Sequence, residues 1–394
     1  MISLLLFFII MIFYTFAGYP ILLKIWLNIS NKSSVSGINS RLQCDYKKEI
    51  SVLLVACNEE AYIGGKIENI FKFYYEKDKI RLVIVDDASD DKTTSIVEKY
   101  QSRNPEHSIT LIKNKIRSGK AYGLNQGMKK INTELVMLVD ARQEINKTAM
   151  SNLASWFYPN SKVGAVSGEL KFRNEKIVSE TSLKNTTESG MDAYQKYEKF
   201  IRQTESIVAG VPGVSGAIYM LRRELFEPIA NDTILDDVLI PMNAAKQGYW
   251  VGYDDRAVAW DIPSNDMARE KQRKTRTLKG NYQLLFRHLG WCLPASHPLW
   301  FQYISHKVSR LTAPFFAIGA LGISVSLHLE GSLLWGGFSL ALVCGVAIYP
   351  LSLLFPKLNN IPLLRIGGSF VALNWFNLLG FFQYIFSSNK QSWK

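Results

Sequence analysis

Charge is confined to the middle of this 394-residue chain. Residues 1–23 contain no charged side chain, and residues 311–394 contain only five: Glu330, Lys357, Arg365, Lys390 and Lys394. An apolar run of roughly 20 residues is enough for a helix to cross a bilayer. Both ends therefore read as membrane segments, with the charged stretch from Lys24 to Arg310 as a soluble domain held between them. A single water-soluble core does not have this pattern, because its elements interleave polar and apolar positions along their length.

The first run lacks the positive start and short apolar core of a cleaved signal peptide, so it is expected to stay as an anchor. Three further spans are expected at about 311–329, 333–355 and 362–386, broken by Glu330-Gly331-Ser332 and by Pro356-Lys357-Leu358-Asn359-Asn360. Basic residues favour the cytosolic side. They follow the first span at Lys24, Lys32, Arg41, Lys47 and Lys48, which puts the soluble domain in the cytosol of a multi-pass cell (inner or plasma) membrane protein. The tail with Lys390 and Lys394 then falls outside, against the rule. The expected division is a transmembrane helix over 1–28, a cytosolic domain over 29–265, basic and interfacial helices over 266–310, and three C-terminal transmembrane helices over 311–394.

The formal net charge is +12. Loops facing anionic lipid headgroups account for it, and no nucleic-acid motif accompanies it. Cys44, Cys57, Cys292 and Cys344 are scattered, with neither disulfide nor zinc spacing. Residues 281–310 mix Trp291, Trp300, Phe301 and Tyr303 with His288, His297, His306 and Lys307, the composition of an interfacial anchor.

Between residues 50 and 260, short β-rich runs alternate with helical patterns. Strands are expected at 50–56, 82–85, 109–112 and 135–139, and helices at about 60–76, 92–103 and 119–130. Such alternation predicts an α/β domain with a mostly parallel, Rossmann-like sheet covered by helices. Ligands of such sheets bind beyond the C-terminal ends of the strands. Acids stand at two of those ends: Asp86 and Asp87 after the second strand, Asp140 after the fourth. Cys57-Asn58-Glu59-Glu60 follows the first strand where a dinucleotide fold has GxGxxG, and no GxxxxGK[ST] is present. Dinucleotide dehydrogenase and P-loop ATPase chemistry are thus unsupported.

These elements, in order, are Val55-Ala56-Cys57-Asn58-Glu59, Val85-Asp86-Asp87-Ala88-Ser89-Asp90-Asp91, Asp140-Ala141-Arg142, Gly216-Ala217 followed by Arg222-Arg223, and Asp236-Asp237. Together they resemble the processive-type family 2 glycosyltransferases, which include cellulose, chitin, hyaluronan and poly-N-acetylglucosamine synthases. The resemblance covers roughly residues 48–310 and implies a GT-A domain that uses a UDP-sugar. By it, Asp86 and Asp87 would hold the uridine, with Ala56 and Glu59 lining the base pocket. Lys120, in Gly119-Lys120, would meet the diphosphate at a helix N-terminus. Asp140 keeps the first acid of the family's Asp-x-Asp and would hold Mg²⁺ or Mn²⁺ with the substrate phosphates. Arg142 stands where the second acid is expected, either to offset diphosphate charge or to pair with Asp140. Asp237 matches the last acid of Thr-Glu-Asp and would be the general base. The Gln-x-x-Arg-Trp element is represented by Gln272-Arg273-Lys274-Thr275-Arg276-Thr277. Arg273 and Arg276 would contact the pyrophosphate, and the Trp is replaced by Thr277.

The activity this implies is inverting transfer to a glycan or lipid-linked acceptor in exopolysaccharide or cell-surface polysaccharide synthesis, with membrane lipid and export proteins as partners. Two alternatives stand beside it: addition of a single sugar to a lipid acceptor, and a non-catalytic scaffold of an export complex.

Overall fold

The computed structural model of the protein describes residues 1–30, 46–157, 162–172, 188–262, 267–355, 358 and 361–386. Lys32, Arg41, Lys390 and Lys394, used above for orientation, lie outside the described residues, as do Cys44 and most of the break at 356–360.

The four expected strands form and pair in parallel. β1 (Ile50–Ala56) lies between β2 (Ile80–Asp86) and β4 (Leu135–Val139), and β2 pairs outward with β3 (Ser108–Lys113). β1 and β4 are buried at every position. This is why they read as unbroken apolar runs rather than alternating ones. The helices that return the chain are α2 (Ile63–Ile70), α3 (Thr93–Arg103) and α4 (Lys120–Met128).

Beyond β4 the sheet changes character. β7 (Ile218–Arg222) pairs antiparallel with β4 and with β6 (Val163–Phe172). β8 (Trp250–Asp261) runs parallel to β6 and carries the short edge strand β5 (Glu144–Ile145). The order is β3-β2-β1-β4-β7-β6-β8-β5, an eight-stranded mixed sheet.

Strand alternation divides the core into two layers. Val52, Leu54 and Ala56 face α2, α3 and α5 (Ala149–Ala154) through Ile63, Ile67, Val97 and Leu153. Leu53 and Val55 face α4 and α7 (Asp236–Lys246) through Ala121, Leu124, Val238 and Leu239. Gly123 lets α4 sit close on the sheet: a Cβ there would lie 2.5 Å from Val55 Cγ1 and 3.1 Å from Cγ2. Val55 is β-branched and cannot swing aside. Gly123→Val is therefore expected to lower stability by about 1–3 kcal/mol, the range for overpacking. Thermal unfolding of the detergent-purified protein reads it, and an unchanged midpoint would show that α4 is free to lift.

Among the described residues, four helices are long and apolar enough to cross a membrane: α1 (Ile2–Ile29), α9 (Trp300–Leu329), α10 (Leu333–Leu354) and Gly367–Phe386 within α11 (Pro362–Phe386). α1 and α9 approach closely, with Phe8 and Phe316 stacked at 5.6 Å and Gly319 leaving room for Phe8. The basic helix α8 (Met267–Arg287) packs on α11, where Tyr282 Oη donates to Asn377 Oδ1 at 2.7 Å and to the Leu311 carbonyl at 2.9 Å.

The second span begins about three helical turns earlier than expected, at Trp300 rather than 311. Its first turns pass through a π-helical segment, Tyr303–Val308, and carry His306 and Arg310 because these groups meet acids of the soluble domain: His306 lies 3.0 Å from Glu205, and Arg310 bridges to Glu198. Polar residues at the end of a span are tolerated when they pair inward.

Candidate active site

The ends of β1, β2 and β4 and the start of α7 bring the acids to one rim. Lys120 opens α4 beneath Gly119, whose φ of 94° only glycine adopts without strain. Its ammonium lies 2.9 Å from Asp140 Oδ1 and 3.4 Å from Asp236 Oδ2. Burial works against the charged lysine, yet Asp140, Asp236 and Asp237 together outweigh it and raise its pKa. One cation thus joins the end of β4 to the first turn of α7.

Asp237 lies one residue on. Its Oδ2 is 3.1 Å from where a Cβ on Gly216 would stand, so any side chain there would press on the carboxylate. Burial, then the Asp236 charge, push the Asp237 carboxyl up to about 6, against the pull of Lys120 and Lys307. Beneath lies Tyr219, whose buried hydroxyl has no hydrogen-bond partner among the described residues. Burial and then Asp236, Asp237 and Asp140 raise its pKa well above the usual phenol value. The Tyr219 hydroxyl therefore stays protonated and available as a donor.

The nucleotide-side acids are already engaged within the protein. Asp86 accepts from the Ser89 amide at 3.3 Å, from the Ser89 hydroxyl, and from Thr94 Oγ1 at 2.9 Å. Asp87 is fully buried and accepts from Asn114 Nδ2, the Ser118 amide and the Gly119 amide at 2.8, 2.9 and 2.7 Å. These bonds tie the turn carrying Lys120 to the end of β2. Asn58 and Ala88, which follow the adjacent strands β1 and β2, have φ of 56° and 54°. Left-handed backbone at non-glycine residues gathers at functional sites. Ala56 is buried at the end of β1.

Arg142 does not pair with Asp140. Its Nε donates to both oxygens of Glu59, at 3.0 and 3.1 Å, and its guanidinium lies 5.7 Å over the Tyr62 ring. Glu59 is thereby occupied on the wall assigned from sequence to the base. The turn behind Asp140 is held by Lys66, buried, whose ammonium donates to the Gln143 carbonyl. Burial pushes Lys66 down to about 8, with Asp140 and Glu144 opposing.

The basic helix is less engaged. Arg273 pairs with Glu270 at 3.0 Å, stands 3.7 Å from Asp261 and lies over the Phe172 ring. Arg276 is exposed and has no side-chain partner among the described residues. Residues missed from sequence are Tyr219, Lys307, Asp236 as a member of the charge cluster, and Lys66. Tyr219 lies two residues beyond the Gly216-Ala217 element, and Lys307 is a lone lysine at the head of a long apolar run.

Residues 51–229 match the model for glycosyl transferase family 2. The chain carries a family 2 glycosyltransferase domain. It is 24% identical over 249 residues to the poly-beta-1,6-N-acetyl-D-glucosamine synthase of Staphylococcus aureus strain COL, which spans 62% of this chain and 58% of that one. The Staphylococcus epidermidis enzyme of the same name is 24% identical over 241 residues, 60% of this chain and 56% of that one. The chain thus matches a little over half the length of these curated relatives. Among solved structures, the mannosyltransferase PcManGT from Pyrobaculum calidifontis, in complex with GDP-Man and Mn²⁺, superposes with a TM-score of 0.73 at 20% identity, over 98% of this chain and 99% of that one. The fold is therefore shared over nearly the whole length of both chains. The chain therefore has a GT-A-like fold, with helices long and apolar enough to cross a membrane.

Among the described residues of this chain no three His, Cys, Asp or Glu side chains form a metal cage. Asp140 is a single hard carboxylate, 38% exposed at its side chain and open towards the rim. That donor fits a hard divalent cation that takes most of its ligands from substrate phosphates and water.

Proposed function

We propose that the protein transfers a sugar, with inversion, from a UDP-sugar to a glycan or lipid-linked acceptor at the cytosolic face of the cell membrane, in the synthesis of an exopolysaccharide or cell-surface polysaccharide. The cluster of Lys120, Asp140, Asp236 and Asp237 carries this reading. It supplies a cation and a carboxylate for the phosphate end of a donor, and a separate, buried carboxylate whose pKa suits proton uptake near neutrality. The names of the staphylococcal relatives support the product class.

In the proposed reaction an acceptor hydroxyl oxygen attacks the anomeric carbon. The new C–O bond forms as the bond to the diphosphate oxygen breaks, and that electron pair leaves with the nucleoside diphosphate. Asp237 takes the hydroxyl proton. Lys120 faces the charge that develops on the leaving group, where fixed cations have the greatest effect. Arg273 and Arg276 reach the same phosphates if α8 closes on the rim. Asp86, Asp87, Ala56 and Glu59 border the nucleoside, with the Arg142–Glu59 pair forming one wall. Mg²⁺ or Mn²⁺ held by Asp140 with the donor diphosphate would supply Lewis-acid neutralisation.

The test is donor turnover and sugar transfer by detergent-purified protein, over a panel of UDP-sugars and GDP-mannose, with Mg²⁺ or Mn²⁺. GDP-mannose belongs in the panel because the full-length fold neighbour was solved with GDP-Man. Metal-dependent turnover of one UDP-sugar is expected. Turnover of GDP-mannose alone would overturn the donor assignment, and turnover of none would favour the scaffold alternative.

The same assay gives a pH prediction. Asp237 must be ionised to accept a proton, and its carboxyl sits at about 6. kcat/KM should rise with pH through about 6 and level off above it. A limb near the ordinary aspartate value of about 4 would place the base elsewhere.

A further inference from the structure

The seam where α6 (Glu188–Val208) meets the head of α9 holds a second set of charges, beside the loop that faces Asp237. Its acids are taken. Glu205, fully buried, accepts from Tyr19 Oη at 2.5 Å and lies 3.0 Å from His306 Nδ1. Glu198 lies 3.3 Å from His306 Nε2 and holds Arg310. Two cations are left over. Neither Arg202 nor Lys307 has a hydrogen bond or close ion pair among the described residues.

Arg202 lies four residues beyond Glu198 and three before Glu205, on the face of α6 that meets His306 of α9. With Arg310 it adds to the positive charge around the Lys307 ammonium, which Asp237 and Glu198 oppose. Lys307 Nζ lies 3.7 Å from where a Cβ on Gly213 would stand, and the Asp237 carbonyl oxygen lies 3.8 Å from that same point. The free ammonium therefore borders the base from the side of α9, while Lys120 approaches from α4. Like charges held together in a half-buried place are unfavourable until an anion joins them.

An apolar groove of about 500 Å³ begins on the same helix. Leu22, Ile25 and Trp26 of α1 form one side, and Pro298, Trp300 and Phe301 the other. Gln302 also lines it, 1% exposed, with its Nε2 unpartnered among the described residues. Lys307 follows Gln302 by five residues, about one turn of the π-helical segment Tyr303–Val308. An apolar groove between the end of α1 and the head of α9, and a pair of spare cations of which Lys307 borders the base, match the two ends of one molecule.

We propose that Arg202 and Lys307 bind the phosphate or diphosphate of a lipid-linked acceptor, whose hydrocarbon chain lies in the groove between α1 and α9. The phosphate is a handle: it is held beside Asp237 so that a hydroxyl of the attached sugar reaches the carboxylate. This specifies the acceptor for the transferase proposed above and rests on that function.

The test is binding without donor. Trp26 and Trp300 line the groove and report occupancy by fluorescence. Farnesyl phosphate, farnesol and inorganic phosphate are titrated into the full chain in detergent. Farnesyl phosphate should bind saturably, and at least about tenfold more tightly than either of the others, the effect of one charged hydrogen bond. Lys307→Met and Arg202→Gln should each weaken it by about tenfold on the same basis, and Lys307→Arg should retain it. Equal affinity for farnesol, or for inorganic phosphate, in the unaltered protein overturns the site without recourse to any variant. So do correctly folded variants that bind as the parent does. Binding as expected by a protein that turns over no donor leaves the site standing and removes the transferase; turnover without binding does the reverse.

Discussion

Asp237→Asn abolishes sugar transfer and leaves the protein at least as stable as before. The amide keeps the shape of the side chain but cannot take a proton. Loss of a positioned general base lowers turnover by about 10²–10⁴-fold. Donor affinity should hold, because the phosphate end of the donor is assigned to Lys120 and Asp140. The stability half follows from the same burial. The Asp237 carboxyl is pushed up to about 6, above its value in an unfolded chain, so the ionised form costs the native state free energy at neutral pH. That cost is present in full above about pH 6 and is relieved as the pH falls toward the ordinary aspartate value of about 4. The shift of about two units corresponds to about 3 kcal/mol at neutral pH. The asparagine has no charge to bury, so the unfolding midpoint at pH 7.5 should be equal or higher. Steady-state kinetics and thermal unfolding on one preparation decide the matter. Undiminished turnover would move the base to another residue, and a large drop in midpoint would make Asp237 a structural acid.

What could be read from the sequence, and what could not, divides along contact distance. The parallel half of the sheet was legible because β1, β2, β3 and β4 each bring their own apolar run, and the intervening helices their own periodicity. The strands of the mixed half, β6, β7 and β8, were not assigned. Their pairing joins segments far apart in the chain, such as Val136 with Leu221, and no local pattern fixes that choice. Acids at strand ends were legible for a topological reason, since such ends converge in any sheet of this class.

Partners were not legible. Asp86 and Asp87 read as open ligands, yet each accepts three internal bonds, and those to Asp87 come from a turn at 114–119. Arg142 read as a neighbour of Asp140 and binds Glu59, 83 residues away in sequence. Lys307 read as an interfacial anchor. Only the fold shows that α9 begins early enough to bring its ammonium to the loop facing Asp237.

Lys120→Met is expected to do the widest damage of any single change at the rim. Lys120 is the cation in contact with both Asp140 and Asp236, and the side chain of Asp236 is only 7% exposed. Removing one member of a buried ion pair costs about 3–5 kcal/mol, because the remaining charge is stranded. Methionine fills the space but leaves Asp236 and Asp237 adjacent, with Lys307 as the nearest remaining counter-charge. Two consequences separate this from simple loss of packing. The acidic limb of kcat/KM should move to higher pH, since Lys120 holds Asp237 down and its removal lets burial and Asp236 act unopposed. Adding Asp236→Asn to Lys120→Met should then recover part of the lost stability, because the stranded charge is gone. Single and double variants compared by thermal unfolding form a double-mutant cycle, and contacting charges give coupling of about 0.5–3 kcal/mol. Strict additivity, together with an unmoved pH limb, would mean that the lysine supports the turn at Gly119 and not the charge balance of the site.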